Sequence, residues 1–207
     1  AQAELAVDKT FAVAEFNQHI LPVLDGCQAV YWPHGQNKLE KTVLALVQDI
    51  RSKGKLGCPP YQFNDLSRIV HEMRLFKSAT EIEIMQQAAD ISANAHKRAM
   101  SFSQAGKYEY QLEAEIQHEF AMNGARFVAY NSIVAGGDNA NILHYTENSD
   151  ELQDGDLVLI DAGCELQGYA ADITRTFPVN GKFSPAQKAV YQIVLDAQLE
   201  SMKLLVP

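Results

Sequence analysis

In the stretch "VLIDAGCELQGYAADITRTF", residues 158–177, two aspartates interrupt segments that otherwise read as strand. The turn "ELQGY" joins those segments into a hairpin. With Leu166 and Gln167 as a two-residue turn, Asp161 falls opposite Asp172; a three-residue turn that includes Gly168 leaves them diagonal neighbours. Directly opposed Cβ atoms lie about 4.5–5.5 Å apart on one face. Two ionised carboxylates at about 5 Å repel by roughly 3 kcal/mol at an effective dielectric near 20. A favourable cross-strand pair contributes only about 0.2–1 kcal/mol, too little to offset that. Three kinds of relief are open: a bound cation, a shared proton, or solvent on a wet hairpin face. The run Val158, Leu159, Ile160 and the small Ala162, Gly163, Ala170 and Ala171 weigh against solvent, because strands buried on both faces read this way. A shared proton would make an acid pair, but the "DTG"-like loops that accompany such pairs in proteases are absent. Carboxylate oxygens suit hard divalent ions such as Mn, Mg and Ca, and added imidazole extends the choice to Zn, Co or Fe. Two aspartates cannot complete such a sphere.

The histidines are the next candidates. His71 in "HEMRL" and His118 in "HEF" lack the second histidine of an HExxH helix, which excludes that zinc site. His19, His96 and His118 fall in helical patterns and read as surface residues. His144 lies in "NILHYT", a segment that reads as a strand preceding the hairpin, from which an antiparallel neighbour could direct it toward the same pocket. The glycine-rich "AGGDNAN" at 135–141 precedes a strand pattern rather than a helix, so a plain turn is expected there and not a phosphate loop.

The elements that must position these groups follow from periodicity. Thr80 followed by Glu83 has capping-box spacing, and the helix it opens should run to about Ser101 with Met85, Ala88, Ala95 and Ala99 facing inward. A second helix, from about Glu109 to Asn123, carries Leu112, Ile116 and Phe120 on one face and stops at Gly124. Strand patterns follow in "ARFVAYNSIVA", "NILHYT", "LVLIDAGCEL" and "YAADITRTFPV". A last helix opens at "SPAQ", with Ser184 as N-cap, Pro185 at the first position and Gln187 closing the box. Helices followed by a run of antiparallel strands is an α+β order. Upstream, helix and strand alternate: Phe16, Ile20 and Leu24 share one helical face, "QAVYW" reads as a strand, and Leu39, Val43, Leu46, Val47 and Ile50 repeat the helical spacing. Two prolines in "GCPPYQFND" exclude helix interior and central strand, and the region from Gly57 to about Lys77 reads as a join between two domains.

With 207 residues the chain can bury a sizeable core, and a net charge of −9 argues against nonspecific nucleic-acid binding. No apolar run approaches the roughly 18 residues of a membrane span. Cys27, Cys58 and Cys164 form no CxxC pair, which suits a reducing compartment and a cytoplasmic location. The start, "AQAELAVDKTFAVAEF", shows neither an initiator Met nor a signal pattern, so it is expected to be the middle of a longer protein.

Taken together, "VHEMRLFKSATEIEIM", "GARFVAYNSIVAGGDNANILHYTEN" and "DGDLVLIDAGCELQGYAADITRTFPVNGKFS" resemble the aminopeptidase P family, the Xaa-Pro aminopeptidases among the "pita-bread" metallopeptidases. The resemblance implies the first half of a pita-bread catalytic domain over residues 71–207, preceded at 1–70 by the end of an α/β N-terminal domain. It implies removal of the first residue from peptides with proline in second position, so the expected partner is a peptide, with a homo-oligomer also possible. It further implies two divalent metal ions, commonly manganese, held by five protein ligands. Asp161 and Asp172 match the first two ligands, with Asp172 bridging both ions. His144 matches a histidine that contacts substrate near the scissile carbonyl, and Tyr130 a tyrosine that supports the metal site by hydrogen bonding. The family's remaining ligands, one His and two Glu, lie later in its domain, so a fragment without activity of its own is expected. Rival readings are a pita-bread protein that has lost its metals and serves as a binding module, a prolidase, and the metal-free creatinase type. Intact aspartates and histidine disfavour the binding module. "ILHYTEN", "DAGCE" and "GYAADITRTFPVNGKF" resemble aminopeptidase P more closely than the other two.

Overall fold

The computed structural model describes residues 6–35 and 37–206, so the first five residues of the opening stretch lie outside it. The chain divides into two compact units after Lys77. In the first, α1 (Phe16–Leu24) and α2 (Asn37–Ser52) pack together, and β1 (Ala29–Trp32) pairs in parallel with β2 (Gln62–Asp65). The helical spacing explains the packing: Leu24, Leu46 and Ile50 form one buried cluster and Trp32, Val43 and Val47 another. The stretch read as a join between two domains contains regular elements of its own. After the two prolines it enters β2 and then α3 (Leu66–Leu75), where the Asp65 side chain caps the helix by accepting from the Ser67 N–H at 2.9 Å.

The second unit opens with α4 (Ala79–Phe102). Its cap is Ser78 with Glu81, not Thr80 with Glu83: the Ser78 N–H donates to Glu81 at 2.6 Å and the Glu81 N–H to the Ser78 hydroxyl at 3.3 Å. Two overlapping boxes are written in the sequence, and a tertiary contact favours the earlier one. The Tyr169 hydroxyl donates to the other Glu81 carboxylate oxygen at 2.5 Å and ties the helix start to the hairpin tip. Ala88, Ser92, Ala95, His96 and Ala99 are buried on one face of α4, whereas Met85, expected to face inward with them, is 38% exposed. Small side chains permit close approach, and α5 (Glu109–Met122) packs there through Leu112, Ile116 and Phe120. At the other end of the unit α6 (Pro185–Met202) starts on the expected Ser184/Gln187 box and buries none of its side chains.

Both helices α4 and α5 back onto strands. β4 (Ile133–Gly136), β5 (Leu157–Ala162) and β8 (Ile173–Pro178) form one antiparallel sheet; β3 (Phe127–Val128), β6 (Cys164–Leu166) and β7 (Tyr169–Ala170) form another. Strand β5 alternates strictly, with Val158, Ile160 and Ala162 in the core and Leu157, Leu159 and Asp161 half-buried on the opposite face. The apolar run is therefore buried on one face rather than two, and Asp161 belongs to the more open one.

Candidate metal centre

The hairpin turn is Gln167-Gly168, one residue later than Leu166-Gln167. Both residues have positive φ, 51° and 86°, which is what a two-residue turn matching the strand twist requires. Leu166 instead pairs with Tyr169. The same register runs on into β5 and β8, where Asp161 faces Thr174. Asp172 therefore sits diagonally to Asp161, two residues from its partner and on the same face. Between the two strand pairs the chain bends at Gly163, where a Cβ would lie 1.4 Å from the Ala171 carbonyl oxygen. Only glycine fits.

A second irregularity supplies the group that joins the aspartates. Val128 pairs with Cys164 and Ile133 with Asp161, so residues 129–132 stand against Ala162 and Gly163 alone. Surplus residues in one strand lift it out of the ladder and re-aim a side chain. The side chain re-aimed here is Tyr130, whose hydroxyl lies 2.5 Å from Asp161 Oδ1 and 2.9 Å from Asp172 Oδ1. The two carboxylate oxygens can be no further apart than those bonds laid end to end. A phenol has one proton and cannot donate fully to both. Burial, then the two hydrogen bonds, push the Tyr130 phenol far above its ordinary value, so it stays a neutral donor.

Two converging carboxylates with one shared neutral donor leave negative charge uncompensated. This donor set fits a hard divalent ion, for which Asp161 and Asp172 would supply oxygen ligands and Tyr130 an orienting hydrogen bond. Among the described residues no group of three or more His, Cys, Asp or Glu is gathered for a metal.

His144 is not on a strand. After β4 the chain makes a short 3-10 helix, Gly137–Asn141, and then a turn in which His144 has φ 63° and is exposed. "AGGDNAN" thus covers the end of β4 and that 3-10 helix, and "NILHYT" after it is not a strand. The loop crosses the Asp161 face nonetheless, because Tyr145 packs with Ile133, Ala135 and Leu159 on that side of the sheet. Side chains hold the loop in place of a ladder. Asn148 accepts from the Val134 N–H at 2.9 Å and donates to the Ser132 carbonyl at 2.9 Å and to Glu113 at 3.0 Å. Glu109 is wholly buried beneath the loop. Read from sequence, it is only the first residue of a helix.

His96, expected at the surface with His19 and His118, is buried. It lies four residues after Ser92 on the Ala88/Ala95/Ala99 face, a spacing already visible in the sequence. A carbonyl only accepts, so His96 Nε2 carries the proton and donates to Ala162 O at 3.1 Å, next to Asp161. Burial holds its imidazole below the ordinary value. His118 is exposed and His19 half-exposed.

Residues 83–207 match the model of metallopeptidase family M24. The chain belongs to that family. Over its whole length it is 58% identical to the Xaa-Pro aminopeptidase of Haemophilus influenzae, of which it covers 46%. All of it superposes on proline aminopeptidase P II from Yersinia pestis, with TM-score 0.93 and 52% identity, covering 48% of that chain. It superposes equally on zinc-substituted Escherichia coli aminopeptidase P in complex with product, with TM-score 0.94, 47% identity and 48% of that chain covered. The mixed helix and strand architecture is thus that of the pita-bread fold, and the chain spans about half the length of the relatives it matches.

Proposed function

We propose that the protein is a metal-dependent aminopeptidase that releases the first residue from peptides with proline in second position. The observation that carries this is the convergence of Asp161 and Asp172 on the Tyr130 hydroxyl, in a chain similar along its whole length to Xaa-Pro aminopeptidases. Asp161 and Asp172 would hold divalent ions, two in number and manganese by preference. When bound, such ions deprotonate water near neutral pH and polarise a carbonyl. Tyr130 keeps both carboxylates in one orientation. His144 donates a hydrogen bond where negative charge develops on the scissile carbonyl oxygen or the departing group. Residues 71–207 form the first half of the catalytic domain and 1–70 the end of an α/β domain. The remaining ligands, one His and two Glu, come from residues outside this sequence. Free Cys27, Cys58 and Cys164 support a cytoplasmic location.

The test is a substrate comparison in the full-length protein with and without manganese. Release of the first residue from Xaa-Pro-Yaa but not from Xaa-Ala-Yaa, lost on chelation, is the expected result. Cleavage confined to Xaa-Pro dipeptides would make it a prolidase. No cleavage with any divalent metal would make it a binding module.

A further inference from the structure

We propose that Glu109 is a positioning residue that fixes, through the Tyr145 hydroxyl, the turn displaying His144. This rests on the role of His144 proposed above. Glu109 is the first residue of α5 and is wholly buried, yet its carboxylate is fully matched. One oxygen accepts from the Gly136 N–H at 2.7 Å and from Asn139 Nδ2 at 3.1 Å. The other accepts from the Tyr145 hydroxyl at 2.7 Å and from the Asp150 N–H at 3.0 Å. An ionised carboxylate offers about four acceptor sites. All are used.

The placement of these donors matters more than their number. Gly136 closes β4 and Asp150 lies past the far end of the turn, so a single carboxylate pins both ends of the His144 loop. Tyr145, the immediate neighbour of His144, is pinned between them. Asn139 adds a brace by donating to the Tyr145 hydroxyl oxygen at 3.1 Å and to Asp150 at 2.9 Å. The Glu109 N–H also donates to the Asp150 carbonyl at 3.0 Å. His144 itself is held in the left-handed region, which residues with a Cβ keep only where the surroundings over-determine them. Tyr145 is 4% exposed and packs on the Asp161 face, so the anchor and the displayed imidazole are consecutive residues on one rigid turn. Burial raises the Tyr145 phenol above its ordinary value, and the hydrogen bond to Glu109 adds to that, so it remains a donor. Replacing the carboxylate by an amide would turn an NH2 donor toward groups that themselves donate. The loop would keep its packing and lose its register.

A double-mutant cycle in the full-length, metal-loaded protein separates positioning from stability. Tyr145→Phe removes the hydroxyl and keeps the ring. It should lower kcat on an Xaa-Pro peptide about tenfold with KM and bound metal unchanged, since small misplacements of a reacting group cost that much or more. Glu109→Gln should act in the same direction and more strongly; where it fails to fold, Tyr145→Phe carries the test. In a His144→Ala background, Tyr145→Phe should have no further effect on kcat. Equal losses in both backgrounds, or an unchanged kcat beside a lowered melting temperature, would overturn the proposal and leave Glu109 structural. Full turnover by His144→Ala alone would overturn the reading of His144 itself, and this proposal with it.

Discussion

The hairpin that carries Asp161 and Asp172 and the loop that carries His144 present polar groups on one face of a sheet by different means. In the hairpin the backbone does the positioning. A continuous antiparallel register from Leu157 to Pro178, a turn at Gln167-Gly168 and a bend at Gly163 set both carboxylates. In the loop, side chains from distant parts of the chain take over: Glu109 and Asn148 satisfy backbone groups that a strand would have paired with its neighbour. A ladder fixes position by repetition, so its failures spread along the strand. A side-chain clamp fixes it at a few points, so its failures stay local. The aspartate pair is built the first way and the turn that carries His144 the second.

That contrast can be broken at the hairpin first. Gly163→Ala should destabilise the second unit by about 4 kcal/mol or more, because the added carbon meets backbone that cannot rotate away. Denaturant unfolding measures it, and a loss under about 1 kcal/mol would show that the bend is soft. The loop should cost less to disturb. Asn148→Ala leaves the buried Val134 N–H without its acceptor, for a loss of about 2–3 kcal/mol. Amide exchange at Val134 should then accelerate while Ile160 and Ala162 in the core strand stay protected; uniform acceleration would show that loop and sheet open as one. The smallest effect concerns the support behind Asp161. Burial keeps His96 from taking up a proton that the unfolded chain takes up near 6.5. Stability is therefore complete above that value and falls as pH drops from 6.5 toward the lower folded-state value. His96→Gln retains a donor for the Ala162 carbonyl and should flatten that part of the pH profile. An unaltered slope would assign the acid sensitivity elsewhere.

What could be read in advance follows the same division. Helix α5, the face of α4 and the cap of α6 were visible because 3.6-residue spacing and capping boxes are local signals. The shared face of the two aspartates is legible because strands alternate, but the turn lies one residue later than the pattern suggests, since the pattern alone does not say which residues take positive φ. Thr80 and Ser78 offer equal local boxes, and the choice lies with Tyr169, remote in sequence. The loop was the least visible part. "NILHYT" has the composition of a strand, and the anchors that hold it as a turn belong to α5 and β4. His96 is different: its place on the small-residue face of α4 was present in the spacing and outweighed by the ordinary preference of histidine for the surface.

The central claim is that Asp161 and Asp172 are ligands to one ion. Crystals of the full-length protein grown with manganese, and an anomalous difference map recorded from them, test it most directly. The account predicts a peak within about 2.3 Å of an oxygen from each aspartate, at the Mn–O distance of a hard-ion site, and its loss in Asp172→Asn. A map with peaks elsewhere and none between these carboxylates, with Tyr130 still bonded to both, would contradict it.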